Sequence, residues 1–319
     1  MTGNATQPGR DADGAARGGR GSLPALVTPL TPGREIDEGG VHDLVARAIA
    51  DGASGALVAG STGEGTLLEP EQRAQLTRAA RVALDTTRAT SAMDGSAPWL
   101  VAGASGPTVR LLQEDVARLG EAGADAVLVL APHTYPLRSE ELVELHGEIA
   151  ERAQIATLIY HIPQLTGSTL TVEAMEELAE HPGIVGMKDS SPDADRRAEF
   201  IEQARRHAGF DVVTGHAPTL QAALEAGASG SITAVANLRQ HRVVALHDAV
   251  ARGDTARATQ LQRGLTRLTE SIGAAGASVP AVLKAALQLD GVIEERWCRP
   301  PLQSLSTPRL DRVRTALMR

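Results

Sequence analysis

A chain of 319 residues, 42% hydrophobic and 22% charged, can bury a sizeable core as one large α/β barrel or two ordinary domains. Its formal net charge of −8 argues against a nucleic-acid or anionic-membrane partner. A single cysteine, Cys298, excludes an internal disulfide framework and fits a reducing compartment. No window approaches the roughly 18 apolar residues of a membrane span, so a cytoplasmic location is expected.

Residues 1–21 (MTGNATQPGRDADGAARGGRG) are rich in Gly, Ala, Arg and Asp and hold no apolar run of the kind a secretory signal needs. They predict a disordered tail. From residue 22 onward, short runs of Val, Ile, Leu and Ala alternate with amphipathic stretches of about 12–16 residues. The predicted strands are 23–27, 55–59, 98–102, 125–129, 156–160, 183–187, 210–213 and 229–232. Helices follow them at 37–52, 69–84, 107–122, 138–153, 171–180, 192–206, 216–226 and 235–252. Glu69-Pro70, Ser139, Thr171 and Ser191-Pro192 supply start signals.

Three helices end alike, in IADGASGALV, GEAGADAVLV and LEAGASGSI, each with Gly where a helix C-terminus takes a left-handed residue. The echo marks a repeated βα unit, and near-continuous apolar strands mark a parallel sheet covered by helices. The predicted fold is a (β/α)8 TIM barrel over 22–252 with a C-terminal helical extension over 253–319. An open doubly wound sheet is the alternative, but no GxGxxG turn follows the first strand.

Such a barrel delivers its chemistry from the C-terminal ends of its strands. Those ends read Gly60-Ser61-Thr62-Gly63-Glu64-Gly65, Pro132-His133-Thr134-Tyr135, Tyr160-His161, Lys188-Asp189, Thr214-Gly215-His216 and Ile232. Both tyrosines of the chain fall there, and so does one of its two lysines, although Lys and Arg together number 31.

An arginine stays protonated and cannot serve as a neutral nucleophile. A lysine set against apolar residues loses its charge more readily, and its amine can attack a carbonyl to form an imine that accepts electrons from a breaking C–C bond. Lys188 is therefore the candidate Schiff-base residue, against the plainer reading of a strand-end lysine pairing with Asp189 or Glu64. Tyr160, one strand away, suits proton transfer to and from substrate oxygen, unless it is a core ring with a satisfied hydroxyl. GSTGEG lacks the GK[ST] ending of a P-loop, and its N–H groups and hydroxyls suit a carboxylate better, unless it is a plain tight turn. His133, His161 and His216 raise a metallohydrolase as a rival, which no HxH or HxxxH pair supports.

At these residues the chain resembles the N-acetylneuraminate lyase / dihydrodipicolinate synthase family of Schiff-base aldolases. The motifs are ALVTPLT at 25–31, GSTGEG at 60–65, YHIPQLTG at 160–167 and GMKDSS at 186–191, in fitting order over roughly residues 23–300. The resemblance implies a barrel with a C-terminal helical extension, a homotetramer, and no cofactor beyond a covalent imine at Lys188. It implies that Tyr160 shuttles protons and that Ser61 and Thr62 hold the carboxylate of a 2-oxo acid and relay protons, which makes Lys188, Tyr160 and Ser61 the expected catalytic residues. Substrate contacts are expected from Ser61, Thr62, Thr134, Tyr135, Gln164, Leu165, His216 and Ile232.

Departures from the family's patterns narrow the expectation. Leu165 stands where the synthases carry Arg. Thr134 aligns with a tyrosine that they donate across a dimer, and the nearest tyrosine here is displaced to Tyr135. Ala217-Pro218 aligns with the acidic pair by which the lyases hold a sialic-acid tail. The expected activity is cleavage or formation of a 2-keto-3-deoxy sugar acid to give pyruvate and an aldehyde. Dihydrodipicolinate synthesis from pyruvate and aspartate semialdehyde is the alternative, with dehydration of a keto-deoxy sugar acid behind it. Small molecules are the expected partners, with neither nucleic acid nor membrane.

Overall fold

The structure, a computed structural model, describes residues 20–90, 97–306 and 309–310. The predicted tail therefore lies outside the described residues except for Arg20 and Gly21, and Gly21 already opens the first strand. The end of the predicted C-terminal extension, from residue 307, lies outside them save for residues 309–310.

The barrel units run β1 (Gly21–Pro24), α1 (Glu38–Ala50), β2 (Gly55–Val58), α2 (Pro70–Thr90), β3 (Trp99–Ala104), α3 (Val109–Glu121), β4 (Ala126–Leu130) and α4 (Ser139–Arg152). They continue through β5 (Ala156–His161), the one-turn α5 (Pro163–Thr166), α6 (Val172–Ala179), β6 (Ile184–Asp189), α7 (Ala194–Ala204), β7 (Asp211–Thr214), α8 (Leu220–Ala226), β8 (Gly230–Thr233) and α9 (Ala236–Ala251). The extension holds α10 (Thr255–Ala274) and α11 (Val279–Leu289). Caps fix several helix starts: the side chains of Asp37, Thr108, Thr171, Asp193 and Asp254 each accept a first-turn N–H. Each such cap contributes about 1 kcal/mol.

All strand pairs are parallel, in the order β1-β8-β7-β6-β5-β4-β3-β2. A parallel bridge between Ala25 and Leu57 closes the ring, with the Leu26 N–H donating to the Leu57 carbonyl at 2.9 Å. The predicted first strand, 23–27, is thus β1 followed by a bridge to the far edge. Leu23, Leu57, Val101, Leu128, Leu158, Val213 and Ile232 fill the barrel interior. Alternate residues such as Val58, Val127, Ile159 and Met187 join the core between strands and helices. No single helix among the described residues is long and apolar enough to cross a membrane.

One irregularity places the chemistry. The register between β5 and β6 shifts at Thr157/Leu158, pairing Thr157 with Ile184 but Leu158 with Gly186. The extra residue of this bulge lets Val185 face the interior and still turns Lys188, three positions on, inward beside Tyr160. Gly186 is required there, because a Cβ would sit 2.2 Å from the Asp211 carbonyl oxygen of β7.

Candidate active site

Tyr160 and Lys188 are register partners at the C-terminal ends of β5 and β6, and both side chains are buried. The Lys188 Nζ lies 4.5 Å from the centre of the Tyr160 ring. From the loop after β2, the Ser61 Oγ donates to the Tyr160 hydroxyl at 3.3 Å. Three strand ends thus bring an amine, a phenol and an alcohol together. Thr62 sits beside Ser61, half-buried.

The opposite side of Lys188 is shaped by an absence. A Cβ on Gly215, after β7, would lie 2.8 Å from the Lys188 Cε and 2.0 Å from the Ser190 Oγ. A side chain there would push on the lysine stem and on the Ser190 hydroxyl.

Behind the strands, facing the helices, stands a buried polar network. The Asp189 carboxylate meets the His161 Nδ1 at 2.6 Å and accepts from the Arg197 Nε at 2.6 Å and the Ser191 Oγ at 3.0 Å. The His161 Nε2 accepts the Leu170 N–H at 3.3 Å, so the ring carries its proton on Nδ1, toward Asp189. Arg197, from α7, also reaches the Thr219 hydroxyl at 2.7 Å and the Ser191 carbonyl. Burial raises the Asp189 carboxyl, but the His161 hydrogen bond and the Arg197 charge outweigh it and hold the group below its ordinary range.

These contacts decide against the plain ion-pair reading of Lys188. Asp189 belongs to His161 and Arg197, and Glu64 pairs with Lys284. Among the described residues, no carboxylate forms a salt bridge with Lys188.

The remaining expected residues scatter. His216 is half-buried with Nδ1 at 3.0 Å from the Thr219 hydroxyl, and burial, then the Arg197 charge, lowers its pKa. Thr134 and Tyr135 lie on an exposed turn after β4, with Tyr135 77% exposed. Leu165, on α5, is 58% exposed. Gln164, exposed on α5, ties two loops together, its Nε2 donating to the Ser190 carbonyl at 2.8 Å. Ile232 is fully buried in the barrel core, in the same interior cluster as Tyr160.

His133 is exposed and His161 spends both ring nitrogens locally, so the three strand-end histidines do not converge. Among the described residues no group of three or more His, Cys, Asp or Glu is arranged to hold a metal. A cavity of about 380 Å³ opens nearby, lined by Thr66, Ser105, Leu130, His133 and Thr134 among others, and neither Lys188 nor Tyr160 lines it. Sequence reasoning missed Gly215, Arg197 and the Glu64–Lys284 pair. Only the scarcity of lysine pointed to the last of these.

The fold is the parallel eight-stranded barrel of the dihydrodipicolinate synthases, and the chain's matches to them place it among the class I aldolases of the N-acetylneuraminate lyase / dihydrodipicolinate synthase superfamily. The comparisons name the family within that class. The chain belongs to the dihydrodipicolinate synthetase family, whose model matches residues 19–319.

A 4-hydroxy-tetrahydrodipicolinate synthase of Natronomonas pharaonis is 29% identical over 93% of this chain and 96% of its own. Another, 4-hydroxy-tetrahydrodipicolinate synthase 1 of Streptomyces coelicolor, is 32% identical over 92% and 90%. Among solved structures, a prophage protein of the dihydrodipicolinic acid synthase family from E. coli K12, in complex with pyruvate, superposes with a TM-score of 0.85. It is 26% identical, covering 94% of this chain and 97% of that one. Family membership makes the chain a carbon–carbon lyase by class.

Proposed function

We propose that the chain is a pyruvate-dependent class I aldolase in which Lys188 forms an imine with the C2 carbonyl of a 2-oxo acid. The observation that carries this reading is the pairing of Tyr160 with Lys188, with the Ser61 hydroxyl within hydrogen-bond reach of the phenol. In the cleavage direction the amine adds to C2 and water leaves, giving the iminium. Tyr160 takes the proton of the C4 hydroxyl while the electrons of the C3–C4 bond flow into the iminium nitrogen, releasing an aldehyde. The enamine is protonated at C3, and hydrolysis frees pyruvate and the amine. Condensation is the same path reversed. Ser61 relays protons to Tyr160, and Thr62 joins it in holding the carboxylate of the 2-oxo acid.

Two readings of the aldehyde partner each rest on an observation. The curated relatives support 4-hydroxy-tetrahydrodipicolinate synthesis from pyruvate and aspartate semialdehyde, and this reading stands ahead of the sugar-acid cleavage expected from sequence. Leu165 supports the sugar acid. An aldehyde that brings its own carboxylate calls for a fixed cation, which a guanidinium supplies bidentately and an exposed leucine does not.

The test has two arms. Borohydride with pyruvate labels Lys188 with a reduced pyruvyl group, read by peptide mass, and chelators leave activity intact. An unlabelled Lys188, or activity lost to chelation, removes the imine reading. The second arm compares kcat/KM for aspartate semialdehyde condensation with that for pyruvate release from 2-keto-3-deoxy acids on one preparation. The larger value assigns the partner.

A further inference from the structure

Lys284 is the chain's other lysine, and it is one of the most buried side chains in the molecule. It lies on α11 in the C-terminal extension, at 0% exposure, yet its ammonium pairs with Glu64 of the GSTGEG loop, itself 2% exposed. The same Nζ donates to the Trp297 carbonyl at 2.6 Å, and the second Glu64 oxygen accepts the Arg299 N–H at 2.6 Å. We propose that Glu64 and Lys284 are positioning residues, which set the loop carrying Ser61 and Thr62 at the distance from Tyr160 and Lys188 that a 2-oxo acid carboxylate needs. The proposal rests on the reading that this loop holds that carboxylate.

Three observations point beyond packing. Glu64 is held at φ 58°, a left-handed conformation that non-glycine residues seldom adopt and that persists where surroundings over-determine it. That conformation ends the turn begun at Ser61, whose carbonyl accepts the Glu64 N–H at 3.2 Å. Moving Glu64 therefore moves the hydroxyl that meets Tyr160.

The loop is also gripped from α2, where Arg73 donates to the Gly65 and Leu68 carbonyls at 3.1 and 2.6 Å. Its far side is thus already anchored, and the Lys284 pair fixes the side next to Ser61 and Thr62. Finally, a buried ion pair is a poor way to hold a helix down, since apolar side chains of like volume serve as well or better. What a charged pair with two further hydrogen bonds supplies is a single geometry. Trp297 extends the clasp to the loop after β1, with the Arg34 guanidinium 5.9 Å above its ring.

The experiment uses the full chain and pyruvate as probe, and follows borohydride trapping at Lys188 against pyruvate concentration. The double variant Glu64→Gln/Lys284→Met removes both charges while keeping volume. We expect it to fold, to reach the wild-type trapping rate at saturating pyruvate, and to need about tenfold more pyruvate for half-saturation, the effect of weakening one hydrogen bond to the carboxylate by about 1.4 kcal/mol.

Glu64→Asp keeps both charges but shortens the reach by one methylene, and should raise half-saturation in the same way. A folded variant with wild-type half-saturation overturns the proposal, as does failure of both variants to fold, which would assign the pair to the fold alone. A wild-type protein left unlabelled overturns the imine reading and this proposal with it. A labelled wild type with unshifted variants overturns only the positioning role.

Discussion

The sharpest test of the site geometry is Gly215→Ala, because the added methyl group meets two side chains, those of Lys188 and Ser190. The glycine backbone lies outside the left-handed region, so alanine adopts it without strain. The new Cβ would stand 2.8 Å from the Lys188 Cε, where ordinary contact begins at 3.4 Å. The lysine stem must therefore retreat by at least about 0.6 Å, and the Ser190 hydroxyl, met at 2.0 Å, must rotate away.

Misplacing a reacting group by about 1 Å costs about a hundredfold in rate, so kcat should fall about tenfold to a hundredfold. Overpacking of this kind costs about 1–3 kcal/mol, a Tm loss of a few degrees. The assay is the rate of borohydride trapping at saturating pyruvate, beside the melting curve. Gly147→Ala in α4 is the control: nothing lies within 4 Å of its Cβ, and alanine favours the helix. A Gly215→Ala variant that traps pyruvate at the wild-type rate would refute this contact and, with it, the placement of Lys188.

Tyr160→Phe removes the hydroxyl that Ser61 meets and should cut kcat by about a hundredfold to ten-thousandfold with little change in Tm; full activity would demote the ring to packing. His146, buried in α4, has its pKa lowered by burial from 6.5 to about 4, so the folded state resists a proton that the unfolded chain accepts. Its contribution is fully present above pH 6.5 and is lost as pH falls from 6.5 to about 4, a change of about 3 kcal/mol at about 1.4 kcal/mol per pH unit. Urea unfolding across that window should show His146→Leu losing less stability on acidification than wild type, and parallel losses would exclude the assignment.

Sequence periodicity reached every barrel strand because a parallel strand buried on both faces is written as an apolar run, and runs such as AVLVL in β4 have few other readings. The positions of Lys188 and Tyr160 were legible for a related reason: in a chain with two tyrosines and two lysines, their arrival at strand ends is a signal in itself. Side-chain direction was not legible. Plain alternation from Val185 would turn Met187 inward and Lys188 outward, and only the bulge paired across to β5 reverses this.

The surroundings of Gln164 and Ile232 were not legible either: a motif position does not reveal that an amide donates to the Ser190 carbonyl, nor a strand end that an isoleucine lies inside the core. Glu64 and Lys284 are separated by most of the chain, and no local pattern links them.

Two acids show what the fold does for the chemistry. Asp189 adjoins Lys188 in sequence, and Glu64 lies in the loop that approaches Tyr160; either carboxylate, left free, would compete for the lysine. An amine held in an ion pair keeps its lone pair in an N–H bond and cannot attack a carbonyl. The chain instead gives each acid its own buried cation, Arg197 to Asp189 and Lys284 to Glu64. Each match suits its geometry. The planar guanidinium of Arg197 bridges Asp189, Ser191 and Thr219, and the compact ammonium of Lys284 fits where only one carboxylate oxygen and one carbonyl are within reach. At these two buried sites the cation suits its surroundings: a guanidinium where a fork is satisfied, and an ammonium where a point charge is buried.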